Sequence, residues 1–214
     1  MHNSVKNLVY IKNKIKKTAN KLPTIIAVSK TFSQENIIPL LEFGHKNFGE
    51  NRVQECAEKW RNLKQDYEDI KLHMIGKLQT NKVRDCLKYF DFIHSVDSKK
   101  LAKKICDEQI KINKTIKIFI QVNIGGEEQK SGINKNNLEE LIVFCKKLKL
   151  NLIGLMCIPP INGDTNKYFS EMSFLKTKYN LDDLSMGMSS DYLDAIKFGS
   201  SFIRIGSKIF GSRA

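Results

Sequence analysis

Lys30 closes the apolar run Ile25-Ile26-Ala27-Val28-Ser29, where a strand should hand over to a loop. A lysine held there can serve as a covalent anchor, because its amine, once deprotonated, condenses with an aldehyde to form an imine. Near the other end of the sequence two strand-like runs spill into small, hydroxyl-bearing residues: Leu184-Ser185-Met186-Gly187-Met188-Ser189 and Phe202-Ile203-Arg204-Ile205-Gly206-Ser207. Hydroxyls and backbone N–H groups beside a glycine are the parts of a phosphate cradle. An imine-forming amine together with such a cradle points to pyridoxal 5'-phosphate, which carries an aldehyde and a phosphate on one ring.

These groups need a scaffold that converges them. Read for alternation, the sequence predicts an opening amphipathic helix within 1–21, with Val5, Leu8, Ile11 and Ile15 on its apolar side, and then eight strands. These fall near 25–29, 46–48, 71–75, 91–95, 116–123, 151–156, 183–187 and 201–205. Helical stripes separate them, for example Val53, Cys56, Ala57, Trp60 and Leu63, or Leu138, Leu141, Ile142, Cys145 and Leu148. Ser98 fits an N-cap, and Gly44 and Gly199 fit helix C-termini. Pro39 should delay or kink the first helix after Lys30. Eight such units in 214 residues suggest a single α/β domain, a (β/α)8 TIM barrel with an extra N-terminal helix packed on it. Active sites of that fold lie at the C-terminal ends of the strands, and its phosphate sites often lie after the last two. An open doubly wound sheet also fits the alternation, but would scatter Lys30, Asn51, His73, Ser189 and Arg204.

Composition excludes several classes. No apolar stretch reaches the ~20 residues of a membrane helix, and the N-terminus has no apolar region with a cleavage site, so the cytoplasm is expected. The five cysteines, Cys56, Cys86, Cys106, Cys145 and Cys157, are odd in number and form no CxxC pair, so they read as reduced, mostly buried thiols. No histidine pair has metal-site spacing, and no metal is expected. A net charge of +13 raises the prospect of nucleic acid. The lysines are spread over every predicted helix, however, rather than gathered on one face, and the run from Lys12 to Lys21 belongs to the solvated side of the opening helix.

Several motifs in order carry a resemblance. They are Ala27-Val28-Ser29-Lys30; Phe48-Gly49-Glu50-Asn51 with Gln54-Glu55; His73-Met74-Ile75-Gly76-Lys77-Leu78-Gln79 with Asn81-Lys82; Val122-Asn123; Lys130-Ser131-Gly132; Gly154-Leu155-Met156; and the ending from Leu184 to Arg213. Through almost the whole chain this resembles the YggS/PROSC family of pyridoxal phosphate homeostasis proteins, which are similar to the N-terminal barrel of alanine racemase standing alone. Phe32 stands where many relatives have a second lysine, and Ser207 where threonine is commoner.

The resemblance implies roles. Lys30 would hold the cofactor as a Schiff base, its pKa lowered by partial burial and a nearby Arg204. Arg204 would face the pyridine nitrogen and discourage its protonation, making the cofactor a weaker electron sink; the plainer alternative is an inward arginine paired with an acid. Ser189, Gly206 and Ser207 would hold the phosphate, with Ser189-Ser190-Asp191 also suited to a turn and cap. Asn51 would pack on or hydrogen-bond the ring substituents, and Met186 would line the ring face or the barrel core. His73 joins the set, although a lone histidine on an apolar strand also reads as a satisfied core residue. Lys130 is either a second, transient cofactor contact or a solvated lysine.

In the racemases a second domain from a partner subunit supplies the opposing acid/base, and this chain is expected to end at Ala214 without one. The expected function is therefore reversible cofactor binding in vitamin B6 homeostasis and supply, without catalysis, by a monomer that meets pyridoxal-phosphate-dependent apo-enzymes transiently. The alternatives are a low-activity racemase-like enzyme acting on a small amino acid, and a basic nucleic-acid binder.

Overall fold

In a computed structural model, which describes residues 1–19, 21–127 and 129–211, parallel strands pair in chain order and the last closes on the first to make a barrel. The strands are β1 (Thr24–Val28), β2 (Asn47–Glu50), β3 (Lys71–Met74), β4 (Phe92–Val96), β5 (Lys117–Val122), β6 (Asn151–Cys157), β7 (Asp183–Ser185) and β8 (Phe202–Ile205). Closure is made by four register pairs, from Thr24 with Phe202 to Ala27 with Ile205. The TIM-barrel expectation holds. The strand read at 46–48 runs to Glu50 instead, because Gly49 and Glu50 keep pairing with His73 and Met74 despite their low intrinsic strand preference. Beyond Ser185 the link to β8 continues through Met186 N–H to Phe202 O and Arg204 N–H to Gly187 O, so the reading to residue 187 follows the backbone.

Helices cover the outside. They are α1 (Asn3–Lys16), α2 (Gln34–Glu42), α3 (Val53–Asp66), α4 (Val83–Tyr89), α5 (Lys99–Ile112), α6 (Leu138–Lys147), α7 (Thr165–Lys178), α8 (Tyr192–Lys197) and α9 (Ser207–Phe210). α1 packs on α2 and α9 and buries Val5, Leu8, Ile11 and Ile15, the stripe its periodicity announced. It ends at Lys16, short of residue 21. Ser98 accepts from the Leu101 N–H at the start of α5, and Gly44 and Gly199 sit at φ +82° and +81° just past α2 and α8. Pro39 does not set the start of α2, which begins at Gln34 and runs through it. The ring removes only the one N–H that would have bonded Glu35 O.

Alternation sorts the side chains into two layers. Ile25, Ala27, Ile203 and Ile205 lie in the large apolar core beneath the helices, and their neighbours Ile26, Phe202 and Arg204 face the barrel interior. There Phe92, Phe119 and Met156 form a separate small cluster with Ile153 and Phe202. All five cysteines are buried free thiols. Burial pushes the thiols of Cys145 and Cys157 up to about 12. Among the described residues no helix is long and apolar enough to cross a membrane, and no three His, Cys, Asp or Glu side chains gather as a metal site would need.

Candidate functional site

The C-terminal ends of β1, β2, β7 and β8 open on a cavity of about 450 Å³. Six of the eight residues expected at the site line it: Lys30, Asn51, Ser189, Arg204, Gly206 and Ser207. Lys30 is two residues beyond β1 and half-buried, with Val28 and Phe32 beside it. Phe32 stacks on Phe210 with ring centroids 4.8 Å apart, so an apolar wall stands where a second lysine might have been. Across the cavity Ser189 Oγ accepts from the Lys208 N–H at 3.4 Å, tying the loop after β7 to the first turn of α9.

Two expected residues are elsewhere. Met186 is fully buried in the core beneath the helices, while Met188, two residues on, reaches the cavity instead. His73 is fully buried inside the barrel, stacked on Phe92 at 4.3 Å. Its Nδ1 is 3.0 Å from His94 Nε2 and its Nε2 is 3.1 Å from Asn47 Oδ1. Burial, with His45 adding a little, pushes its pKa down to about 3, so it is neutral. Lys130 pairs with Glu127 and borders a neighbouring cavity that shares Asn51, Ile75 and Ile158 with the first. Glu128 beside it, and Ser212 and Arg213 of the expected C-terminal motif, lie outside the described residues.

The turn that carries Lys30 is held from below. Ser29 donates its hydroxyl to Glu50 Oε1 at 2.7 Å, and the Lys59 ammonium donates to Ser29 O at 2.8 Å and to Glu50 Oε1 at 3.0 Å. Trp60 Nε1 donates to the same oxygen at 3.0 Å. Thr31 stands at φ +67°, a left-handed conformation that costs a β-branched residue of order 1–3 kcal/mol. Its N–H donates to Glu55 Oε1 at 2.5 Å. Burial works against the Glu55 charge, but that N–H bond and Lys59 outweigh it and hold the carboxyl below its usual range.

Arg204 is 4% exposed. It donates to Ser185 Oγ at 2.7 Å and to Cys157 O at 2.8 Å, and among the described residues no carboxylate pairs with it. Burial accordingly lowers its pKa, against weaker support from Cys157 and Asp191. A buried cation without a counter-charge beside a cavity is suited to an anionic or electron-rich guest. With one amine, the three hydroxyl-bearing residues Ser189, Ser190 and Ser207, and room for a small ring, the donor set fits a phosphorylated aromatic aldehyde. Sequence reasoning missed Glu50, Lys59, Ser185 and His94 as parts of this machinery. Their signals were available: Ser185 is a lone hydroxyl in an apolar strand, and Glu55 and Lys59 are spaced i, i+4 on α3.

The family description "Alanine racemase, N-terminal domain" matches residues 6–214. The chain is 40% identical over 199 residues to the pyridoxal phosphate homeostasis protein of Aquifex aeolicus, covering 88% of this chain and 86% of that one. To the protein of the same name from Escherichia coli K12 it is 35% identical over 229 residues, covering 100% and 98%. Among solved structures it is similar to PipY of Synechococcus elongatus without PLP, at 31% identity and a TM-score of 0.90, covering 98% of this chain and 100% of that one. The form of PipY with PLP bound gives 30% identity and a TM-score of 0.81, with 97% and 100% covered.

Proposed function

The chain belongs to the alanine racemase N-terminal domain family, and from that premise we propose that it binds pyridoxal 5'-phosphate at the mouth of its barrel and serves in the homeostasis of that cofactor. The observation that carries this reading is the convergence of Lys30 with Ser189, Arg204, Gly206 and Ser207 around one cavity. Pyridoxal phosphate supplies an aldehyde carbon that condenses with a primary amine, and Lys30 is the amine the site offers. Ser189, Gly206 and Ser207 would hold the phosphate, and Asn51 would bear on the ring substituents. Arg204, fixed by Ser185 and Cys157 O, would direct its remaining N–H groups at the ring.

We take the role to be holding and supplying the cofactor rather than catalysis. Support comes from the cavity lining, in which Lys30 is the one described side chain of the amine, imidazole, carboxyl or thiol kind. Arg204 stays charged, and the rest are hydroxyl, amide or apolar. Proton transfer on two faces of a bound substrate needs a second such group. Release to acceptor apo-enzymes as a cytoplasmic monomer belongs to the same proposal.

The test is the visible spectrum of the purified protein with added pyridoxal phosphate, before and after borohydride reduction, alongside Lys30→Ala. A band that reduction fixes onto the Lys30 peptide, and that the variant lacks, is the expected result. The absence of any such band from the unaltered protein would remove the assignment. Solvent deuterium entering the Cα of an added amino acid would overturn the non-catalytic part.

A further inference from the structure

Arg204 is the end of a buried hydrogen-bonded chain that crosses the barrel. Its NH1 group meets Ser185 Oγ at 2.7 Å; that oxygen meets His94 Nδ1 at 2.9 Å. His94 Nε2 meets His73 Nδ1 at 3.0 Å, and His73 Nε2 meets Asn47 Oδ1 at 3.1 Å. His73, His94 and Ser185 are all fully buried. The two imidazoles stack on Phe92 and Phe119, each at 4.3 Å, and among the described residues no carboxylate joins this run of hydrogen bonds.

With Asn47 Oδ1 at the far end, one arrangement of hydrogens satisfies every link between neutral rings. An amide oxygen only accepts, so His73 carries its hydrogen on Nε2 and leaves Nδ1 as an acceptor. His94 must then carry its hydrogen on Nε2 and donate to His73 Nδ1. His94 Nδ1 in turn accepts from the Ser185 hydroxyl, whose oxygen accepts from the Arg204 guanidinium. Burial keeps both rings neutral by pulling their pKa values down, which the arrangement requires, since a proton added to Nδ1 of either ring would meet the hydrogen its neighbour donates.

We propose that Ser185, His94, His73 and Asn47 act as positioning residues, a one-way hydrogen-bond relay that fixes the Arg204 guanidinium at the cavity floor and locks both histidines as single Nε2–H tautomers. The relay orients Arg204 without neutralising it. A carboxylate in the place of Ser185 would hold the guanidinium as firmly but take up its charge. A hydroxyl whose own hydrogen is committed elsewhere leaves that charge for the guest. It also explains why an apolar barrel interior tolerates two histidines: every nitrogen has a partner. The part of the proposal that concerns the guest rests on the cofactor reading above, whereas the tautomer part does not.

The test begins with long-range ¹H–¹⁵N spectra of the full, ligand-free protein at neutral pH. Both rings are expected to be neutral with Nε2 protonated. A hydrogen on Nδ1 of either ring, a charged ring, or a fast mixture of tautomers would overturn the relay. Pyridoxal phosphate titrations of Ser185→Ala and Ser185→Thr then test positioning. Loss of the Ser185 hydroxyl should weaken binding about tenfold, the effect of one hydrogen bond to a charged group, and threonine, which keeps the hydroxyl, should restore it. Equal affinities for Ser185→Ala and the parent would overturn the positioning role. Because the spectra use protein without ligand, failure of the relay and failure of the cofactor assignment are read separately.

Discussion

Glu55 Oε1 holds the backbone N–H of Thr31 at 2.5 Å, and Thr31 is the residue that the turn after Lys30 forces to φ +67°. The two facts belong together: an unfavourable backbone conformation persists where surrounding contacts impose it. Glu55→Ala should therefore cost about 1–2 kcal/mol and lower the occupancy of any adduct on Lys30. Thr31→Gly, which removes the reason for strain, should be neutral or stabilising by up to about 1 kcal/mol. The double variant should be less impaired than the sum of the two, as read from urea unfolding of all four proteins. Strict additivity would separate Glu55 from the conformation of Thr31.

Lys59 is 9% exposed and Glu50 is fully buried, so each neutralises the other out of water. Glu50 Oε1 already accepts from three side chains, and Oε2 has no hydrogen-bond partner among the described residues. Lys59→Met should strand that carboxylate and cost about 3–5 kcal/mol, whereas Lys59→Met with Glu50→Gln should cost much less. Denaturant midpoints decide between this and a pair of no consequence.

Three buried histidines should make stability fall on mild acidification. Burial, more than any neighbour, lowers His45 from 6.5 to about 4, His73 from 6.5 to about 3, and His94 well below 6.5. Above about pH 6.5 both the folded and unfolded chains keep these rings neutral. Below it the unfolded chain takes up protons that the folded chain refuses. Stability is then lost as pH drops toward the folded values, by up to about 1.4 kcal/mol per histidine per unit. Unfolding free energies at pH 7.5, 6 and 5 should show that slope, and His73→Phe should remove about one proton from it. A flat profile over this window would contradict neutral burial.

Two glycines should respond oppositely to alanine. A Cβ on Gly76 would come within 2.4 Å of Asn51 O, a backbone atom with little room to move. Gly76→Ala should destabilise the fold and displace Asn51 from the cavity. At Gly206, with φ −109°, the added carbon would lie 3.5 Å from Val28, an ordinary contact. Gly206→Ala should keep the melting temperature within a few degrees yet weaken pyridoxal phosphate binding if a phosphate approaches the backbone there. Unchanged binding would remove Gly206 from the cradle.

The barrel was legible because alternation survives in it: apolar runs of strand length recur between helical stripes, and Lys30, Arg204 and Ser207 stand at their ends. What escaped were features that arise only when distant strands meet. By sequence His73 reads either as a cofactor contact or as a satisfied core residue, and the structure bears out the second; Asn47 and His94, which satisfy it, and Ser185, which bonds His94 in turn, come from three other strands. Met186 and Met188 differ by one period of a strand, and periodicity alone could not say which faced the cavity once β7 had given way to loop. The left-handed Thr31 had no signal either, since threonine is a residue that sequence rules would not place there.

The pairing of Thr24 with Phe202 also sets an order of events. Lys30 follows the first strand, and Arg204 lies in the last, so no partial chain lacking β8 can present both to one ligand. During synthesis Lys30 emerges before most of the barrel is made. A ligand that needs both residues would thus be captured only by a chain whose ring of strands has closed. A ligand bridging that seam stabilises the final joint, and through it the whole cycle of neighbours.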